Sequence, residues 1–179
     1  MRHHSRSWIK QRLRLLASLE LFNIPLQAAI WFGMIGLPVS VANALGFALF
    51  ALLLVEGAGY WFAKLRHLGA RGGPLPGAGA FAVARGANVA VLTIGLLFLA
   101  WTVATDPGSG SVPGLLFGLF AVLEHVNYFH VQLMYDTVED LRYLRSRGLR
   151  RAHLARDLAV HARSRQVEVR GGGGLQRQH

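Results

Sequence analysis

The chain has 179 residues, 53% of them hydrophobic and 16% charged, with a formal net charge of +10 and no cysteine. Soluble domains usually carry about a quarter of their residues as charged groups. Here the apolar residues come in long blocks rather than a helical period, which indicates a multi-span membrane protein. The missing cysteines exclude disulfides, thiolate metal sites and thiol–disulfide chemistry.

Residues 1–20 read as a basic interfacial segment. Trp8, Ile9, Leu13, Leu16 and Leu19 alternate with Lys10, Arg12 and Arg14, the pattern of a helix lying in a membrane surface. No small-residue cleavage site follows, so the next apolar stretch reads as a retained span. Spans are expected at about 21–37, 41–63, 86–104 and 112–135, each near the ~20 residues that cross a bilayer. Pro25 should kink the first. Pro38-Val39-Ser40 and Asp106 to Ser111 are tight connections, and Arg71 to Gly77 is a flexible loop.

Charge sets the orientation. Of 19 Lys and Arg residues, five precede the first span, four lie between the second and third, and ten follow the fourth. The positive-inside rule then puts both termini in the cytoplasm, as an even number of spans requires. The expected fold is all-α, an integral membrane four-helix bundle in a bacterial-type inner membrane. An amphipathic, basic cytoplasmic helical region follows over 136–170. Its apolar stripe includes Ala152, Ala155 and Leu158, and its cations include Arg142, Arg145, Arg150 and Arg151. These four arginines are expected to contact anionic lipid headgroups or a partner protein. Residues 171–179 read as a disordered tail. No aromatic-interleaved basic motif accompanies the charge, so nucleic acid is not an expected partner.

The candidate site is a polar layer. At ~1.5 Å per residue, Glu124 lies about 16 Å inside the fourth span, near the midplane. Tyr128 lies about 6 Å nearer the cytoplasm. Gln27, Asn23, Glu56 and Asn88 fall at comparable depths, so each span contributes a polar group to one half of the bundle. Ionisable groups at such depth are functional candidates by default. Glu124 is the expected anchor, supported by Glu56, Asn127 and Tyr128. At 100° per residue, His125, Gln132 and Asp136 form an adjoining stripe, a candidate proton-conducting row. Gly114, Gly118 and Ala121 mark the side of this helix that faces the bundle.

No Glu-x-x-His pair of the di-iron type occurs. A mixed Glu56, Glu124, His125 metal site is the weaker alternative, and no metal or cofactor is assigned. The leading expectation is a ligand- or lipid-binding or accessory subunit of a membrane assembly, with a homo-oligomer or a partner protein. The alternatives are a membrane enzyme acting on a lipid or quinone and an oligomeric proton-coupled channel or transporter.

Overall fold

The computed structural model describes residues 6–68, 75–133 and 150–163. Helix α1 spans Arg6–Ala28 and continues as a π-helical turn over Ala29–Met34. Helices α2, α3 and α4 span Val41–His67, Ala78–Thr105 and Val112–Phe129. A further helical segment, α5, covers 153–163. The protein is an all-α bundle in which four helices are long and apolar enough to cross a membrane.

The helix boundaries follow local chemistry. The Ser40 hydroxyl caps α2 by accepting from the Asn43 N–H at 3.0 Å. Lys64, Arg66 and His67 close its last turn, where cations meet the negative end of the helix dipole. Pro113, early in α4, occupies a position where no intrahelical N–H is needed. Pro25 lies inside α1 and the π-helical turn begins four residues later. A proline removes one donor from the ladder, and widening the next turns is one way a helix absorbs the defect.

At three places the helix ends do not coincide with the expected segment ends. Helix α1 runs through positions 20 and 21 without a corner, so the basic N-terminal residues and the first apolar stretch form one rod. Leu13 and Ala17 are buried, which anchors that early part against the bundle. Helix α3 begins at Ala78, eight residues ahead of Gly86, because Arg85 is exposed and does not interrupt it. Helix α4 stops at Phe129 rather than Tyr135. There the His130 and Val131 N–H groups still bond Val126 O, but Gln132 N turns to Arg150 O at 2.8 Å. Ala152 N donates back to His130 O at 3.1 Å, closing an antiparallel bridge between Val131 and Arg151. The Asn127 carboxamide caps the end by accepting from Leu133 N at 2.8 Å.

Helix α2 is central, with α1, α3 and α4 packed on it, and α4 also packs on α3. The α2–α4 seam is the tightest. Gly46 lies against the backbone of Gly114, and Gly114 lies against Ala42. Close backbone approach at small residues is how helices associate where lipid offers no hydrophobic drive. Gly114, Gly118 and Ala121 are all buried on the inward face of α4. Leu49, Leu53, Leu92, Leu99, Ala121 and Phe129 form the core with Tyr60 and Tyr128.

At the end of the bundle that holds the two tight turns, Asn43 is fully buried. Its Nδ2 donates to Pro38 O at 2.9 Å and to Ser109 O at 2.8 Å, while its Oδ1 accepts from Gly114 N at 2.8 Å. The Ser40 hydroxyl also donates to Gly110 O. One carboxamide thus ties both turns to the start of α4. At the opposite, basic end, α5 docks on α2. Ala152, Leu154, Ala155 and Leu158 are buried. Asp157 accepts from Tyr60 Oη at 2.9 Å and pairs with Lys64 Nζ at 2.7 Å.

Candidate functional site: a cleft between α1 and α4

Helices α1 and α4 both lean on α2 but barely on each other. The cleft they leave holds two cavities. One, of about 320 Å3, lies at the basic end. It is lined by Trp8, Arg12, Leu16 and Glu20 of α1, Tyr60 and Trp61 of α2, Asn127, Tyr128 and Gln132 near the end of α4, and His153 and Leu154. The other, of about 340 Å3, lies nearer the turn end, between Asn23, Gln27 and Trp31 on one side and Pro113, Leu116, Phe117 and Phe120 on the other, with Phe50 also in its wall. Both sizes fall in the range of small-molecule pockets.

The α1 wall is a single stripe. Glu20, Asn23, Gln27 and Trp31 recur every three or four residues and so share one face. The stripe is internally bonded. Trp31 Nε1 donates to Gln27 Oε1 at 2.8 Å, and Gln27 Nε2 donates to Asn23 Oδ1 at 3.3 Å. Trp31 is half-buried against the bundle. Its ring stands edge-on to Phe117 at 5.8 Å, beside Phe47 and Phe50.

The α4 wall contributes Asn127 and Tyr128, and Glu124, the expected anchor, adjoins both without lining either cavity. Asn127 Nδ2 donates to Glu124 Oε2 at 3.3 Å. The Tyr128 hydroxyl crosses the cleft and donates to Glu20 Oε1 at 2.6 Å. It interacts with Glu124 as well, so it stands between two carboxylates from different helices. Gly57 permits the crossing: a Cβ there would fall on the Tyr128 hydroxyl and 2.5 Å from Cζ. Trp61 also adjoins Glu20, its buried indole nitrogen interacting with the carboxylate without a close hydrogen bond.

Glu124 therefore neighbours Glu20, not Glu56 as depth alone suggested. Glu56 accepts from Asn88 Nδ2 at 2.6 Å on the α3 side. The reason is angular. Gly46 and Gly57 are eleven residues apart and both face α4, and the next position back, Glu56, points about 100° away. Asn88 is buried and, among the described residues, bonds Glu56 alone through its side chain.

His125 faces away from the cleft. It is 5% exposed, and neither ring nitrogen has a hydrogen-bond partner among the described residues. Its ring packs on Phe129 at 5.0 Å and His130 at 5.5 Å. Gln132 instead lines the basic-end cavity. The expected row of His125 and Gln132 is broken because α4 ends between them. Asp136, Arg142 and Arg145 lie outside the described residues. Arg150 is half-buried and Arg151 exposed. Glu56, Glu124 and His125, the set weighed for a metal, are directed at three different neighbours.

His153 closes the cavity from α5. Burial, together with Arg156, Arg150 and Lys64 nearby, lowers its pKa to about 4 despite the opposing Asp157 carboxylate. Its Nδ1 lies 2.7 Å from Arg156 Nη2, which suits a neutral ring accepting from the guanidinium.

Sequence reading missed Glu20, Tyr60, Trp61 and His153. Glu20 carried a signal: it begins the polar stripe completed by Asn23 and Gln27. The C-terminal contributors carried none, because their place depends on how α5 folds back.

Tyr128→Phe is expected to cost about 1–2 kcal/mol, since it leaves the Glu20 carboxyl short of a donor. Gly57→Ala should cost about 1–3 kcal/mol by overpacking. The second loss should shrink in a Tyr128→Ala background, because the hydroxyl, Cζ and Cε2 that the new methyl meets are then all gone. Detergent-micelle unfolding titrations of Gly57→Ala, Tyr128→Ala and the double variant measure this coupling. Additive losses would count against the crossing contact.

Known protein families, curated proteins and solved structures offer no match to the chain.

Proposed function

We propose that this membrane protein binds a lipid-like amphiphile, with the polar head in the basic-end cavity and the apolar chain along the cleft between α1 and α4. One observation carries the reading: the same two helices line two largely apolar cavities in succession, the basic-end one bordered by the ionisable Arg12 and Glu20 with Tyr60, Trp61 and Tyr128, the next by Leu116, Phe117 and Phe120 with only uncharged Asn23, Gln27 and Trp31 opposite. That order of surfaces matches an amphiphile lying along a helix axis. Hydrogen bonds along the stripe engage the Trp31 indole, both ends of the Gln27 carboxamide and the Asn23 carbonyl, which lowers the cost of a hydrocarbon chain beside them.

The basic end is the cytoplasmic end in this reading, with both termini there, because Lys and Arg gather at that end and are absent from the two tight turns. The protein then sits in the cell membrane with its head-binding cavity at the inner leaflet. Arg142, Arg145, Arg150 and Arg151 supply attraction to anionic headgroups.

Native mass spectrometry of gently extracted protein tests the proposal. The expected result is a chain carrying one adduct of lipid-like mass that survives mild activation. Leu116→Trp, which fills the cleft, should lower its occupancy severalfold while the helical content persists. Bare chain under the mildest conditions, or an adduct indifferent to Leu116→Trp, would overturn the reading.

A membrane enzyme is the second reading, and the Tyr128 hydroxyl between two carboxylates favours it, since such a group can pass a proton. It requires turnover of the bound amphiphile, seen as an adduct whose mass changes with time and is frozen by Tyr128→Phe.

A further inference from the structure

The chemistry of the basic-end cavity narrows the class of head it takes. Tyr60, Trp61 and Tyr128 present aromatic rings to the space that Glu20 borders. Each tyrosine is held by its hydroxyl. Tyr60 Oη donates to Asp157 at 2.9 Å, and Tyr128 Oη donates to Glu20 at 2.6 Å. The Tyr60 and Trp61 rings lie 4.9 Å apart and tilted by 53°, so they form two walls rather than a stack. Ring faces attract cations, and a group of them around a positive centre is the usual way proteins hold substituted ammonium ions. Rings fixed in advance lose little entropy when the ligand arrives.

The charges agree. Glu20 is the carboxylate on the cavity wall, and Glu124, which interacts with both Glu20 and Tyr128, adds to its field. Arg12, also on the wall, holds its guanidinium 5.4 Å over the Trp8 ring, about two helical turns from Glu20. The protein therefore already places one cation on an aromatic face at the rim of this cavity. His153 stays neutral above a pH of about 4 and adds no second cation beside the rings.

We infer that the head taken by the basic-end cavity is an organic ammonium group, with the Glu20 carboxylate as its counter-ion and the rings of Tyr60, Trp61 and Tyr128 as its cage. This rests on the amphiphile reading and specifies its polar end. A phosphate or sulfate head would meet Glu20 as a like charge, with Arg12, among the described residues, the one cation on that lining to offset it, and a neutral sugar head stacks on rings but brings no charge for Glu20 to pair. Protons compete for the same carboxylate, so ammonium affinity rises with pH. The groups that share this field are Glu124 and Tyr128 from α4, Tyr60 and Lys64 from α2, Arg12 from α1, and His153, Arg156 and Asp157 from α5.

The full-length protein in lipid nanodiscs, titrated with decyltrimethylammonium, decyl phosphate and decyl maltoside, tests this by tryptophan fluorescence against protein-free discs. Saturable binding of the ammonium compound about tenfold tighter than of the other two is expected, a preference of the size that a desolvated cation–π and ion-pair site provides. Glu20→Gln should abolish the preference and leave weak binding that is the same for all three. Trp61→Leu keeps the carboxylate and removes one wall, and should weaken the ammonium compound alone by severalfold. It provides the check should Glu20→Gln not fold. Equal or tighter binding of the phosphate or maltoside compound would overturn the ammonium inference and leave the amphiphile reading standing. No saturable binding of any of the three would bring down both. A Glu20→Gln protein that is folded and keeps the preference would overturn the inference by itself.

Discussion

Gly46→Val is expected to lose more than about 3 kcal/mol of stability, beyond the ~1–3 kcal/mol usual for an overpacked core. The usual range assumes that side chains can move aside. At Gly46 the first atoms a Cβ meets are the carbonyl oxygen, carbonyl carbon and Cα of Gly114, all backbone. Helices α2 and α4 would have to separate along their whole seam. That would also pull Tyr128 off Gly57 and open the basic-end cavity from its floor. Gly86→Ala is the matched control, because nothing lies within 4 Å of a Cβ there, and it should be neutral or gain about 0.5–1 kcal/mol through helix propensity. Folded yield and unfolding midpoints in mixed micelles decide the matter. A Gly46→Val protein as stable as Gly86→Ala would mean that the seam is looser than described.

Asn43→Ala is expected to cost about 3 kcal/mol, because an unsatisfied buried polar group costs about 1–3 kcal/mol and this change strands more than one. The Gly114 N–H and the Pro38 and Ser109 carbonyls lose their partner together. Asn43→Asp separates the roles. It keeps an acceptor for Gly114 N–H but cannot donate to the two carbonyls, so it should recover part of the loss. The same unfolding titration measures both. Equal stability of Asn43→Ala and the parent would show that the two turns hold without the clamp.

Four apolar helices, their order and the inward face of α4 were legible because each depends on local composition and a 100° step. The layer of polar residues was legible in depth for the same reason. Its partnerships were not, because pairing across helices depends on which face each helix turns to its neighbour, and nothing in a single segment states that. Glu56 and Glu124 lie at similar depth yet serve different neighbours. Asn43 sits in the first turn of α2, where a polar residue reads as ordinary helix-start chemistry, and its reach to the Asp106–Ser111 turn is a purely tertiary fact. Glu20 was masked by its neighbours: the cations before it suggested a surface helix, whereas the rod continues and carries it into the cleft.

The loose seating of α1 has a consequence for motion. Almost none of its apolar stretch is buried in the bundle, its hydrogen-bond ladder is interrupted at Pro25, and the turn that leads out of it passes through Gly36 at φ +75°. Elements with few buried contacts open at the lowest free energy in a fold. Opening of α1 therefore requires far less work than opening of α2 or α4, and amide exchange should rank it fastest of the four. Because α1 is one wall of the cleft, its opening exposes the interior sideways to the bilayer. A molecule already dissolved in lipid could then exchange with the site without crossing water.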